Sequence, residues 1–184
     1  MTLNDRVVAY SAAFPKYPVM TVDKGWLMGV WVLGNLYKKA SNYYGAYPGN
    51  YLKRVHALFP DKPRPLHLFS GTVQHGIAVD INPTLHPTVA ADCRALPFVE
   101  GAFDWVVADP PYSAKDAENY CTPMIARGPV VKEIRRVMQR GGYLCWLDTG
   151  RPMYSKLQWK QVGAVMVLVS TNTRARCLSI FEAV

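Results

Sequence analysis

Phe103-Asp104-Trp105-Val106-Val107-Ala108-Asp109-Pro110-Pro111-Tyr112 is the stretch from which the rest of the chain is best read. Trp105–Ala108 is a short apolar run rich in β-branched and aromatic residues, which predicts a buried strand. The strand ends in an acid. Pro110 and Pro111 then fix φ and donate no hydrogen bond, so the turn is stiff and its carbonyls are available as acceptors. Tyr112 follows as an aromatic. In an open α/β sheet a turn at the carboxyl end of a strand lies where ligands bind.

Outward from this turn, short apolar runs alternate with turns and helices from Leu66 onward, the syntax of an α/β domain. The predicted strands are Pro65–Phe69, Gly76–Asp80, Thr88–Ala91, Trp105–Ala108, Tyr143–Leu147, Val162–Ser170 and Ala175–Phe181. Between them, Val130, Val131, Ile134, Val137 and Met138 share one face of a helix over Val130–Arg140, with Gly141-Gly142 as its stop. Thr171-Asn172-Thr173-Arg174 reads as a hairpin joining an antiparallel pair. Upstream, Trp26, Val30, Leu33 and Tyr37 are spaced for a helix over Trp26–Lys39. Asn50 is placed to cap a second helix, Tyr51–Leu58, ended by Pro60. The break Pro60-Asp-Lys-Pro-Arg-Pro65 divides an N-terminal helical or lid segment, 1–64, from a core at 65–184, within one domain.

At 184 residues, half of them hydrophobic, the chain is long enough for a real core and is neither disordered nor fibrous. Its longest apolar run, Gly25–Leu36, falls short of the roughly 18–20 residues that span a bilayer. Asp5 and Arg6 interrupt any leader-like start, so no membrane partner is expected. The cysteines and histidines show no metal-ligand spacing, and no metal is expected. Cys93, Cys121, Cys145 and Cys177 read as reduced thiols, which fits a cytoplasmic location. A net charge of +8 and a pI near 9.4 suit a polyanionic partner. Tyr43, Tyr44, Tyr47 and Tyr51, interleaved with Lys38, Lys39, Lys53 and Arg54, fit either a stacking and phosphate-binding surface or an ordinary aromatic core.

Asp109-Pro110-Pro111-Tyr112 resembles the catalytic motif of the class I S-adenosylmethionine-dependent amino-methyltransferases, most of all the N6-adenine DNA methyltransferases. Further motifs follow in the family's order. Leu66-His-Leu-Phe-Ser-Gly-Thr72 is similar to the first, glycine-turn motif, and Gly76-Ile-Ala-Val-Asp-Ile-Asn82 to the second strand with its terminal acid. Ala91-Asp-Cys-Arg-Ala-Leu-Pro-Phe98 is similar to the third motif. Val137-Met-Gln-Arg-Gly-Gly-Tyr143 is similar to the junction before strand five, and the last two strands to the closing hairpin.

The resemblance implies a Rossmann-like fold: a seven-stranded, mostly parallel sheet with an antiparallel C-terminal hairpin strand, flanked by helices. It implies S-adenosyl-L-methionine as cofactor, held by Phe69, Ser70, Gly71, Asp80, Ile81, Asp92, Cys93 and Asp109. Asp80 would take the ribose hydroxyls, and Asp92 with Cys93 would meet the adenine. Asp109, Pro110, Pro111 and Tyr112 would form the catalytic turn, with Tyr112 stacked on an extruded base. A carboxylate of ordinary pKa is expected to suffice at Asp109.

The substrate so implied is N6 of adenine in DNA. No segment is long enough for a target-recognition domain, so a specificity partner or a homodimer is part of the expectation. The rivals are guanine-N2 methylation of ribosomal RNA and a non-catalytic nucleic-acid or partner-binding module. Cytosine-N4 methylation more often goes with serine at the position of Asp109, and protein glutamine methylation with asparagine. The chain departs from the family in three places. His67 stands where an acid usually holds the methionine amino group, Val73 replaces a second glycine, and Gly71 to Asp80 is too short for a helical crossover. Tyr47-Pro48-Gly49-Asn50, weakly similar to a cofactor-lid motif, is the candidate replacement.

Overall fold

The computed structural model describes residues 1–16, 19–34, 47–120, 122–170 and 174–184. In chain order it contains α1 (Leu3–Ala13), β1 (Met20–Asp23), β2 (Trp26–Leu33), α2 (Tyr51–Leu58), β3 (Leu66–Leu68), β4 (Ile77–Asp80) and β5 (Val89–Ala90). There follow β6 (Phe103–Ala108), α3 (Ala114–Asn119), α4 (Arg127–Val137), β7 (Met138–Asp148), β8 (Trp159–Val169) and β9 (Arg176–Ala183). All described strands join one nine-stranded sheet in the order β1-β2-β8-β9-β7-β6-β3-β4-β5. The pairs β2–β8, β7–β6, β6–β3, β3–β4 and β4–β5 are parallel. Strand β9 runs antiparallel to both β7 and β8.

The seven expected strands are all present, and two more extend the sheet at its N-terminal end. The expected helix over Trp26–Lys39 is instead strand β2 across Trp26–Leu33, and residues 35–39 lie outside those described. Almost every residue of Trp-Leu-Met-Gly-Val-Trp-Val-Leu is apolar, so the run satisfies a helical spacing by default. Its β-branched and aromatic content favours a strand. Burial decides the matter: Leu27, Trp31 and Leu33 are buried while Met28, Val30 and Val32 are exposed, the period of a strand.

The two faces of the sheet carry separate cores. Trp105, Val107, Cys145, Leu147, Leu27 and Trp31 pack on one face against Tyr10 of α1 and Tyr51, Val55 and Leu58 of α2. Val106, Ala108, Leu144, Trp146 and Leu68 pack on the other against Val130, Ile134 and Val137 of α4. Alternation along β6 and β7 thus feeds both layers, which is why these strands read as continuous apolar runs. Each large side chain removed from water contributes about 1.5–3 kcal/mol.

Arg6 enters the first layer as a buried cation. It makes a two-pronged ion pair with Asp61 at 2.7 and 3.1 Å and donates to the Leu58 carbonyl. Its guanidinium also lies 4.5 Å from the centroid of Phe59 and 4.6 Å from that of Tyr143.

Three smaller expectations change. Helix α4 ends at Val137 and β7 starts at Met138, so Gly141-Gly142 does not stop the helix. Gly141 (φ +74°) sits in a bulge, where the β6–β7 register jumps from Phe103↔Met138 to Trp105↔Tyr143. Asn50 precedes α2 in a left-handed conformation and its side chain makes no capping bond. The buried Tyr47 and Tyr51 stack on each other at 5.2 Å within the core, and Arg54 is spent on Phe14 and the Tyr10 hydroxyl. They form no open stacking surface; Lys38, Lys39, Tyr43 and Tyr44 lie outside the described residues. No described helix is long and apolar enough to cross a membrane.

Candidate active site

Strands β4, β3 and β6 are adjacent and parallel, so the segments after their carboxyl ends converge. Together they open into one cleft of about 950 Å³, counting the solvent at its mouth. Phe69, Gly71, Asp80, Ile81 and Cys93 line one part of it, and Asp109, Pro110, Pro111 and Tyr112 the other. Sequence-predicted residues thus supply most of the walls. Asp116, Tyr120, Thr122, Ile125, Arg174 and Arg176 also line the cleft and carried no signal of their own. Pro48, from the weakly similar lid motif, also faces the cleft.

The first part is built on a tight turn. Residues 69–76 alone join β3 to β4, with no helix between parallel strands. Phe69 (φ 55°) and Gly71 (φ 54°) both adopt left-handed conformations. For Phe69 that is a strained state, of the kind found where a chain is held open for a ligand. Asp80, buried at the end of β4, ties the turn together: its carboxylate accepts from Gly71 N–H and from Asn82 N–H, each at 2.9 Å. Cys93 is an inert thiol, pushed up to about 12 by burial. Two expected residues lie apart. Asp92 is gripped by Arg94 at 2.6–3.0 Å and is not among the cleft's walls. Ser70 faces a neighbouring hollow with Tyr47 and Thr72.

The second part is held from behind. Arg127 donates to the Pro111 carbonyl at 2.7 Å and pairs with the buried Asp148, at the end of β7, at 3.1 Å. That carbonyl is therefore already engaged, while Asp109 and Pro110 line the cleft. The Tyr112 hydroxyl donates to the Asp109 carboxylate. Burial pushes Asp109 up to about 7; Tyr112 and the Arg176 guanidinium pull it back, while Asp148 and Asp116 push it further. An ordinary carboxylate would suffice for the expected role, and burial sets Asp109 above that range. Arg176 lies 5.1 Å from the centroid of Tyr112, and Arg174, paired with Asp116, lies 5.9 Å from it.

TrmN from Thermus thermophilus superposes on 77% of this chain and 50% of its own, with a TM-score of 0.56 and 17% identity. The likeness is one of fold, a Rossmann-like α/β sheet that is mostly parallel with an antiparallel C-terminal strand. The chain spans about half the length of TrmN. Two further structures align less closely. The PH0226 protein from Pyrococcus horikoshii OT3 has a TM-score of 0.47 and 13% identity over 79% of this chain and 100% of its own. The antibiotic-resistance methyltransferase Kmr has a TM-score of 0.42 and 16% identity over 76% and 96%. No protein-family model and no curated protein matches the chain.

The first part of the cleft fits S-adenosyl-L-methionine. Gly71 has no side chain to bar close approach of an adenosine. The Asp80 carboxylate, with two backbone donors, keeps lone pairs for ribose hydroxyls. Ile81 and Cys93 offer an apolar wall for a ring. Beside them, Ser70 Oγ and the Tyr47 hydroxyl are buried without a hydrogen-bond partner, polar groups of the kind a methionine end would satisfy. His67, at the position of the family's acid, is fully buried under this turn and is not among the cleft's walls.

Proposed function

We propose that the chain transfers a methyl group from S-adenosyl-L-methionine to an exocyclic amino group of a nucleic-acid base, first of all N6 of adenine in DNA. The observation that carries this reading is that the Asp109–Tyr112 turn and the Gly71–Asp80 turn open into one cleft. The cofactor supplies an electrophilic methyl group when bound. Phe69, Gly71, Asp80, Ile81 and Cys93 would hold its adenosine, with Asp80 on the ribose and Cys93 at the adenine. Ser70 and Tyr47 would serve its methionine end.

The chain's own residues do the rest by placement. An amine conjugated to its ring is a poor nucleophile, because its lone pair is delocalised. The Asp109 carboxylate and the Pro110 carbonyl each accept one N–H, which favours a pyramidal nitrogen and aims its lone pair along the cleft. Once methylated the nitrogen is cationic and must lose a proton. The Asp109 carboxylate, which already accepts one of its N–H groups, is placed to receive it. Tyr112 would stack on the extruded base, and the Arg174 and Arg176 guanidiniums beside its ring suit a stacked base or a phosphate.

The test is transfer of labelled methyl from the cofactor to duplex DNA, single-stranded DNA, RNA and protein, followed by nucleoside analysis. N6-methyladenine from DNA is the expected product, and it disappears in Asp109→Ala while calorimetry still shows cofactor binding. Label in RNA guanine would move the activity to the rival substrate. No label anywhere, with no cofactor binding, would refute the reading and leave a binding module.

A further inference from the structure

The feature the proposed function leaves unused lies behind the cleft. His56 from α2, His67 from β3 and His75 from the β3–β4 connection come together there, although no spacing in the sequence links them. One ring nitrogen from each lies within 4.8 Å of the other two, and among the described residues this is the group of three or more metal-ligating side chains. His75 sits in the middle. Its ring centroid is 4.7 Å from that of His67 and 5.0 Å from that of His56.

Several observations point to a cation. His67 Nε2 and His75 Nδ1 are 3.3 Å apart. Two imidazole nitrogens bound at about 2.0–2.1 Å to one tetrahedral ion are separated by about 3.3–3.4 Å, so this pair already has the spacing of a shared metal. His56 is half-buried and His75 exposed, so a small side-chain rotation can close the remaining gap, and an ion can enter from solvent. His67 is fully buried, and its Nε2 meets the His75 ring. Two imidazole nitrogens facing each other can share one proton or, with both lone pairs inward, one cation.

We propose that His56, His67 and His75 form a binding site for a divalent transition metal of the zinc class, with the fourth position open to solvent beside His75. Imidazole sets of this kind suit Zn²⁺, Co²⁺, Ni²⁺ and Cu²⁺ and not Mg²⁺ or Ca²⁺. The ion ties α2, β3 and the β3–β4 connection to one point. That connection carries the Gly71 turn and lacks the helix that would otherwise brace it, so the metal takes over the brace. The proposal does not depend on methyl transfer.

The test uses the full chain, stripped with a chelator and titrated with ZnCl₂ and separately with CoCl₂. One Zn²⁺ per chain is expected, and Co²⁺ should give the visible absorption of a tetrahedral site. Zinc at about 100 times its dissociation constant should raise the melting temperature by about 5–10 °C. His75→Ala, at an exposed position, and His56→Gln should melt like stripped wild type without zinc and lose both the shift and the cobalt spectrum. MgCl₂ should give neither. Failure of the wild type to bind zinc stoichiometrically would overturn the proposal and leave a hydrogen-bonded histidine cluster. Wild-type affinity in either variant would overturn the three-histidine assignment.

Discussion

If Asp109 must accept an amine N–H, methyl transfer follows its ionised fraction. Its pKa lies near 7 instead of the ordinary 3.8, mainly because burial disfavours the charge. A group titrating there is about one-tenth ionised at pH 6 and about nine-tenths ionised at pH 8, so kcat/KM should rise about tenfold over that interval and then level. Arg176 contributes to holding the value down, so Arg176→Gln should carry the acidic limb upward by removing a nearby positive charge. The assay is initial rate of label transfer at saturating cofactor from pH 5.5 to 9, on wild type, Arg176→Gln and Asp109→Asn. A limb near pH 4, or a downward move in Arg176→Gln, would refute the electrostatic argument. Activity in Asp109→Asn comparable to wild type would refute the role itself.

The same raised pKa has a cost for folding. Because the folded value exceeds the unfolded one, the contribution of Asp109 to stability declines as pH rises from about 4 to about 7 and stays low above that. Asp109→Asn should therefore raise the melting temperature at pH 8 and leave it unchanged at pH 4, as thermal scans at both would show. Arg6→Ala removes a buried guanidinium, its ion pair with Asp61 and its packing between two rings; a loss of about 3 kcal/mol in urea unfolding is expected. A loss under 1 kcal/mol would mean that the pair is incidental. At Gly163 a Cβ would come within 2.7 Å of the Leu27 carbonyl, so Gly163→Ala should destabilise by about 1–3 kcal/mol. Gly150→Ala, where a Cβ meets nothing within 4 Å, is the control and should be near neutral.

What could be read in advance was local chemistry carried by short segments. The Asp109–Tyr112 turn, the Asp80 terminus of β4 and the bare β3–β4 connection each declare themselves through residue type and spacing, and parallel pairing brings them to one cleft. What stayed hidden depends on partners distant in sequence. Strand β2 is apolar at nearly every position, and only its pairing with β8 selects extended chain over helix. Arg6 looks like an ordinary surface cation on α1 until α2 and Tyr143 close over it. Arg127 shows its role only once its helix is set against the Pro111 carbonyl and Asp148. His56, His67 and His75 come from a helix, a strand and a loop, so no interval along the chain announces them. Asp109 itself was legible as a residue, but its pKa was not, because that follows from how dry the finished cleft is.

Strand β9 lies between β7 and β8, and β2 pairs with β8 across nearly the whole sequence. On a ribosome, β2 would emerge long before its partner, and β7 and β8 would wait with open edges for the segment that joins them. The sheet would exist as two unjoined pieces until residues 176–183 had cleared the exit tunnel. Such long-range closure is slow, and unpaired edges invite wrong partners in the interval. A nascent chain stalled before β9 should therefore be aggregation-prone and dependent on chaperones, whereas release of those few residues would let both pieces fold as one.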